Sequence, residues 1–384
     1  PQPAQFLAFG RAQAGISSGL GLSAAVLPIG LGHPVTDRLG RGFEFASQIG
    51  RVTPGTHQLD HLAPKLRRIG GMGLRHKDTS RKSIVGVHQT GATSVDITAL
   101  YCCLDDFCKV FADWEAHRLL PSEQTRQRSG KLSRAEMLFI VVLFHLSPYK
   151  NFKVFYLYGI GGQYRACFDE LPHYDRFVSL MPRLFVPLMV LLHGLSGEQT
   201  GVYFVDSTKL AVCHNRRIHR HKVFDGLAAR GKTSMGWFYG LKLHFVINHK
   251  GQIMALKITP GNTADSTVLD EMTRHLAGKL YADKGYIGRE LFHKLWRRGL
   301  HLITSIRRNM RNYLMPLADK VMLRKRFVIE TVLDTLKSEM GLEHSRHRSV
   351  INAMVHVLSC LVAYAFRPGK PSISLTAQKI TAYP

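Results

Sequence analysis

Three acidic residues stand out by their settings. Asp206 ends the run Val202-Tyr203-Phe204-Val205, and Asp283 ends Lys279-Leu280-Tyr281-Ala282. Apolar runs rich in β-branched and aromatic residues read as buried strands. Such a strand carries a carboxylate only where the charge leaves the core or meets a cation. Asp is also common in turns, so Asp206 taken singly reads as a cap of the turn Asp-Ser-Thr; it is the recurrence at Asp283 that argues for chemistry. Glu330 lies in a helical stretch, Arg324 to Met340, four residues after Arg326 and seven before Lys337. That spacing puts the three on one helix face, which by itself reads as a solvated face with a weak ion pair. Asp334 shares the face and reads as the partner of Lys337. The gaps from 206 to 283 and from 283 to 330 are 77 and 47 residues, so only a fold can bring the acids together. Clustered carboxylates are hard oxygen ligands that suit Mg²⁺ or Mn²⁺. Two such ions about 4 Å apart can activate a nucleophile and stabilise a leaving oxygen at phosphorus.

The elements that must position these residues follow from pattern. Ile97, Leu100, Tyr101, Leu104, Phe107, Cys108 and Phe111 recur at three and four, a helix face. Pro121 to Lys131 is a polar, basic linker. Ser133-Arg134-Ala135-Glu136 is a capping box opening an apolar helix through Leu146, and helical character continues to about Gly194. Residues 95–200 therefore read as an all-helical domain, structural or DNA-binding, which periodicity cannot separate. Strand-like runs follow at Val202–Asp206 and Leu210–Cys213 (one kinked strand), Trp237–Ile247, Ile253–Thr259, Leu280–Asp283 and Leu300–Ile306, with helices at 265–276 and 288–298. Two long helices, Val321–Met340 and Ser349–Phe366, close a mixed α/β domain over 201–367. Residues 1–94 show no sustained period and read as a disordered extension, or as translation from upstream of a start at Val95; the rival is a basic arm that holds DNA. Residues 368–384 read as a disordered tail.

Bulk composition narrows the partners. The 384-residue chain has 52 Lys and Arg against 27 Asp and Glu, a net charge of +25, which attracts polyanions, nucleic acid first. Six cysteines without paired metal-ligand spacing read as reduced thiols. Apolar stretches such as 184–192 are shorter than a membrane span, so no membrane association is expected. Lys284, Arg326 and Lys337, with Arg307 and Arg308 before the last acidic helix, are placed to hold phosphate. The block 214–222, with Arg216 and Arg217, is a further DNA contact. A zinc site from His214, His219 and His221 lacks Cys partners and regular spacing. His344 to Arg348 reads as a basic turn.

Arg326-Phe327-Val328-Ile329-Glu330 followed by Lys337 resembles the Arg–Glu–Lys signature of DDE transposases of bacterial insertion sequences. Asp206 in Phe-Val-Asp-Ser-Thr and Asp283 in Ala-Asp-Lys-Gly-Tyr are similar to that family's first and second acids. The resemblance covers about Val95 to Phe366. It departs from the wider group at Leu323, where many members have Tyr. It implies an RNase H-like mixed sheet flanked by helices, with Asp206, Asp283 and Glu330 as catalytic and metal-binding acids. Two Mg²⁺ or Mn²⁺ ions would be held, Asp206 bridging both and Asp283 and Glu330 completing one each. Water would cleave the DNA strand, and the freed 3′-hydroxyl would attack target DNA. The implied partners are inverted-repeat ends, target DNA and a second copy of the chain, a homodimer or higher assembly. The implied location is the bacterial cytoplasm, at the nucleoid. The alternatives are a related metal-dependent nuclease without strand transfer and an inert DNA-binding protein.

Overall fold

The computed structural model describes residues 95–116, 130–234, 236–310, 314–344 and 346–375. The expectations for 1–94, most of the linker 121–131 and the end of the tail lie outside these residues. The helical part consists of α1 (Ile97–Ala116), α2 (Arg134–Leu146), α3 (Phe152–Val154, running on as a π-helix to Gln163), α4 (Tyr174–Leu180) and α5 (Phe185–Gly194). Ser133 caps α2 as expected. Its Oγ accepts from the Glu136 N–H at 3.1 Å, and the Ser133 N–H donates to Glu136 Oε2 at 2.7 Å.

The sheet follows, with β1 (Val202–Cys213), β2 (Ala229–Thr233), β3 (Gly236–Asn248), β4 (Ile253–Pro260), α6 (Asp265–Met272), β5 (Gly278–Ala282), α7 (Arg289–Arg297) and β6 (Leu300–Thr304). Its order is β2-β3-β1-β5-β6, with β4 also paired to β3. β1 to β4 are joined antiparallel, while β5 and β6 run parallel to β1. The kinked pair expected at 202–213 is one strand, with a register shift between Ala211 and Cys213. β2 is a strand that sequence pattern missed, because Ala-Arg-Gly-Lys-Thr has no alternating apolar residues.

The closing helices are α8 (Leu317–Arg324), α9 (Phe327–Asp334) and α10 (Val350–Phe366). The single helix expected over 321–340 is therefore interrupted. Between α8 and α9 the backbone tightens into three-residue hydrogen bonds, Val328 to Lys325 and Ile329 to Arg326, and after Asp334 it widens into a π-helix, Thr335–Glu339.

One face of the sheet carries Phe204, Phe245 and Tyr281, in one core with Val328, Ile329 and Val332 of α9 and the helices α1 to α5 and α10. The other face carries Tyr203, Val205, Leu280 and Ala282, packed on α6 and α7 through Leu269 and Leu295. α10, assigned by sequence to the catalytic domain, packs mainly on α5 and α2, so the helices and the sheet share a continuous core. Buried His145 of α2 ties them further, with ring nitrogens at 2.7 Å from Met340 O and 3.0 Å from Ser359 Oγ.

Two further expectations change. Residues 174–194 together are long and apolar enough to cross a membrane by length and composition. They fold, however, as two α-helices joined by a 3-10 turn at Met181–Leu184, with Leu184, Leu188 and Leu191 in the core. Residues 368–375, read as disordered, lie against the β3–β4 turn. There the Ile373 N–H donates to His249 O at 2.8 Å, and Ile373 is buried.

Candidate active site

The parallel pairing of β1 and β5 builds the site. Val202, Tyr203 and Phe204 lie opposite Lys279, Leu280 and Tyr281; the offset of 77 is the one that separates Asp206 from Asp283, each two residues beyond the last pair. Gly278 permits that register: its φ is +117°, and a Cβ there would meet Gly201 O at 2.4 Å. Side chains alternate along a strand, so Asp206 and Asp283 share the face of Phe204 and Tyr281, whose rings stack at 5.6 Å one pleat earlier. That is the face covered by α9. Beyond Phe204, β1 continues without β5, which opens the sheet edge beside Asp206.

Glu330 arrives on the exposed side of α9, whose opposite side, Val328, Ile329, Val332 and Leu333, is buried. Arg326, at the start of α9, links the groups. Its Nη2 donates to Glu330 Oε1 at 2.9 Å, and its Nη1 lies 3.5 Å from Asp206 Oδ2. Nη1 is buried and makes no hydrogen bond, so the guanidinium stands as counter-ion between two acids without satisfying either completely. The Ser207 N–H donates to Asp206 Oδ1 at 2.8 Å. Burial pushes the Asp206 carboxyl up to about 6; Ser207 and Arg326 oppose that rise, and the Glu330 and Asp283 charges add to it. Asp206 is thus a carboxylate held near neutrality that gains from any cation placed beside it.

The basic residues expected around the acids separate into three groups. Lys284 follows Asp283 directly, and Arg307 reaches the same turn, its Nη2 donating to Lys284 O at 3.2 Å. Arg308 is exposed on the loop after β6. Lys337 does not pair with Asp334, as expected, but lies 3.5 Å from Glu343, because the π-helix rotates it off the Glu330 face. Glu343 in turn accepts from the Ala211 N–H at 3.3 Å, five residues along β1 from Asp206. Arg216 and Arg217 are on a 3-10 turn, Asn215–Arg220, beyond the far end of β1.

Sequence reading also missed neighbours of the acids. Tyr286 is buried, and its hydroxyl has no hydrogen-bond partner. Burial, then the charges of Asp265, Asp206 and Asp283, raise its pKa, so it stays protonated. Asp265, at the start of α6, lies 3.1 Å from Lys242 Nζ and 3.5 Å from His244 Nδ1. Burial lowers His244 to about 4, which keeps it neutral. Asp319 accepts from Lys279 Nζ at 2.9 Å and Tyr281 Oη at 2.8 Å, anchoring β5 from α8. Only the Gly-Tyr after Asp283 gave a hint of these in the sequence.

The donor set is all carboxylate oxygen, the chemistry a hard divalent cation requires. Among the described residues, however, no three His, Cys, Asp or Glu side chains are grouped closely enough to hold a metal as they stand. Arg326 lies between Asp206 and Glu330, 3.5 Å from one carboxylate and 2.9 Å from the other.

Residues 196–350, which include every strand and all three acids, match the family described as transposase DDE domain. No curated protein matches the chain. Among solved structures, the chain is similar to the cryo-EM structure of piggyBac transposase in a synaptic complex with hairpin DNA, at 11% identity and a TM-score of 0.38, over 63% of this chain and 68% of that one. The sheet and the acid-bearing helix thus lie inside a stretch, residues 196–350 of this chain, that is similar to the transposase DDE domain.

Proposed function

We propose that Asp206, Asp283 and Glu330 are the catalytic acids and that the chain moves an insertion sequence by cutting and joining at its inverted-repeat ends. The observation that supports this reading is the parallel pairing of β1 with β5, whose last pair, Phe204 and Tyr281, lies two residues before Asp206 and Asp283, together with Arg326, which lies between Asp206 and Glu330. Mg²⁺ or Mn²⁺, two ions held by these acids, would supply a low-pKa nucleophile and charge stabilisation at phosphorus. The chain's own residues do the rest. Asp206, buried and raised to about 6, favours the metal-loaded state over the free one. Arg326 holds Glu330 and Asp206 in the free protein and is then available to a phosphate oxygen, where its planar fork binds bidentately. Lys284 and Arg307 flank the Asp283 turn and neutralise the adjoining phosphates.

The test is incubation of the purified chain with Mg²⁺ and duplex carrying the inverted repeats. Expected are free 3′-hydroxyl ends and joined products, both abolished in Asp206→Asn with DNA binding retained. Cuts without joining would leave only the nuclease reading. Unchanged cleavage by Asp206→Asn would reject the assignment of the acids.

A further inference from the structure

The strand that sequence pattern missed creates a surface of its own. β1 ends its pairing with β3 at Cys213 and Tyr239, so Gly236, Trp237 and Phe238 pair with β2 alone. The two strands form a ribbon that runs past the end of the sheet. Lys232 lies directly opposite Trp237, and its Nζ sits 5.7 Å from the indole ring. Trp237 is 61% exposed, unusual for the largest apolar side chain. Arg230 lies opposite Tyr239. The turn Asn215–Arg220 is docked beside the ribbon, Asn215 Nδ2 donating to Trp237 O at 2.8 Å, and it brings Arg216, Arg217 and Arg220. These five cations have no carboxylate partner among the described residues, and Asp225 is the one acid between 214 and 237.

Cations without counter-ions around an exposed aromatic ring are what a nucleic acid engages: phosphates take the charges, and sugar and base surfaces take the ring. A two-stranded ribbon also fits the major groove of B-form DNA. Position adds a length. Trp237 is eight residues along β3 from Phe245, the partner of Asp206, or about 25 Å at the rise of a strand. By alternation it is on the same face as Phe245.

We propose that the β2–β3 ribbon and the 215–220 turn form a second DNA-binding surface, which grips duplex about seven base pairs from the phosphate engaged at Asp206. The stated distance to the cut rests on the catalytic reading of Asp206; the binding surface does not. Trp237 lies in the groove, and the Arg and Lys side chains take the flanking phosphates.

The test uses the full chain and an end-labelled inverted-repeat duplex, with affinity read by fluorescence anisotropy across a salt series and contacts read by hydroxyl-radical footprinting. Trp237→Ala is expected to weaken binding about tenfold, the loss of one aromatic stacking contact, with Trp237→Phe recovering most of it. Arg216→Ala combined with Arg217→Ala is expected to lower the slope of log K on log salt by about two. Both should erase protection about seven base pairs from the cut and leave protection at the cut. Thermal unfolding like that of the wild type confirms that each variant is folded. Unchanged affinity, slope and footprint in folded variants would overturn the proposal, as would an effect on binding to another protein alone. A wild type that shows the distal footprint but never cleaves would reject the catalytic reading and leave the ribbon standing.

Discussion

The helical part and the sheet part of this chain share a core but differ in charge. Residues 95–200 contain 11 Lys and Arg against 11 Asp and Glu, a net of zero, whereas residues 201–367 contain 28 against 12, a net of +16. The field that draws in a polyanion therefore belongs to the part that carries the acids. The helices contribute apolar surface instead: α2, α5 and α10 pack through residues such as Leu138, Leu188 and Leu361, all fully buried. A charged, acid-bearing sheet backed by a neutral helical layer separates attraction of a polyanion from stability, since the self-repulsion of clustered cations acts against folding.

Substitutions should expose this division, beginning with the largest effect. Asp206→Asn is expected to reduce DNA cleavage by at least about a thousandfold, several kcal/mol of lost stabilisation at phosphorus, as read by product formation in Mg²⁺. Lys153→Ala, on α3 at the neutral side, should leave cleavage within about twofold; a large loss there would break the contrast.

Leu361→Ala in α10 is expected to cost about 2–5 kcal/mol, read by urea denaturation. The shared core predicts that helices and sheet unfold in one transition. Two transitions, with only the helical signal shifted, would show that the halves are separate folding units.

Acid should act on the two regions in opposite directions. Burial raises Asp206 in the folded state to about 6, well above the ordinary carboxylate range. Its favourable contribution is present below the unfolded value and is lost as pH rises through about 6. Asp206→Asn should therefore stabilise the metal-free protein at pH 8 by on the order of 1–3 kcal/mol, with the gain gone below pH 4. The histidines around α10 have the reverse sign. Burial lowers His356 to about 4 and His347 to about 3, and holds buried His145 below its usual range. The stability linked to their neutral forms is present above pH 6.5 and is lost as pH falls toward 4. Replacing His356 with Gln should flatten that acid limb in a pH series of thermal midpoints, while leaving the Asp206 limb in place.

The smallest effect concerns salt. Lys284→Ala should lower the salt slope of DNA binding by about one, and Lys150→Ala, in the neutral layer, should leave it unchanged. Equal slopes in both variants would erase the electrostatic difference between the regions.

Much of this arrangement was legible along the chain because it is local. Two apolar runs ending in Asp announced β1 and β5, since strand burial is written in four or five consecutive residues. Ser133 and Glu136 announced α2, and the spacing from Arg326 to Glu330 announced their ion pair. The chain's composition alone told of an anionic partner. What remained hidden depends on contacts between distant residues. The break at Lys325–Arg326 and the π-helix that turns Lys337 toward Glu343 follow from packing α9 on β1, which outweighs the small preference for an unbroken helix. β2 holds its place by pairing with β3, not by its own weak propensity. Nothing local to Tyr286, Asp265 or His244 says that Tyr286 and His244 will be buried, with half-buried Asp265 against His244. Sequence by itself determined which residues carry charge and which runs must be buried, because transfer from water is a property of each side chain. Only the tertiary structure decided that the strand running into Asp206 pairs with the strand that ends just before Asp283, because an offset of 77 residues exists only when two strands lie in parallel register.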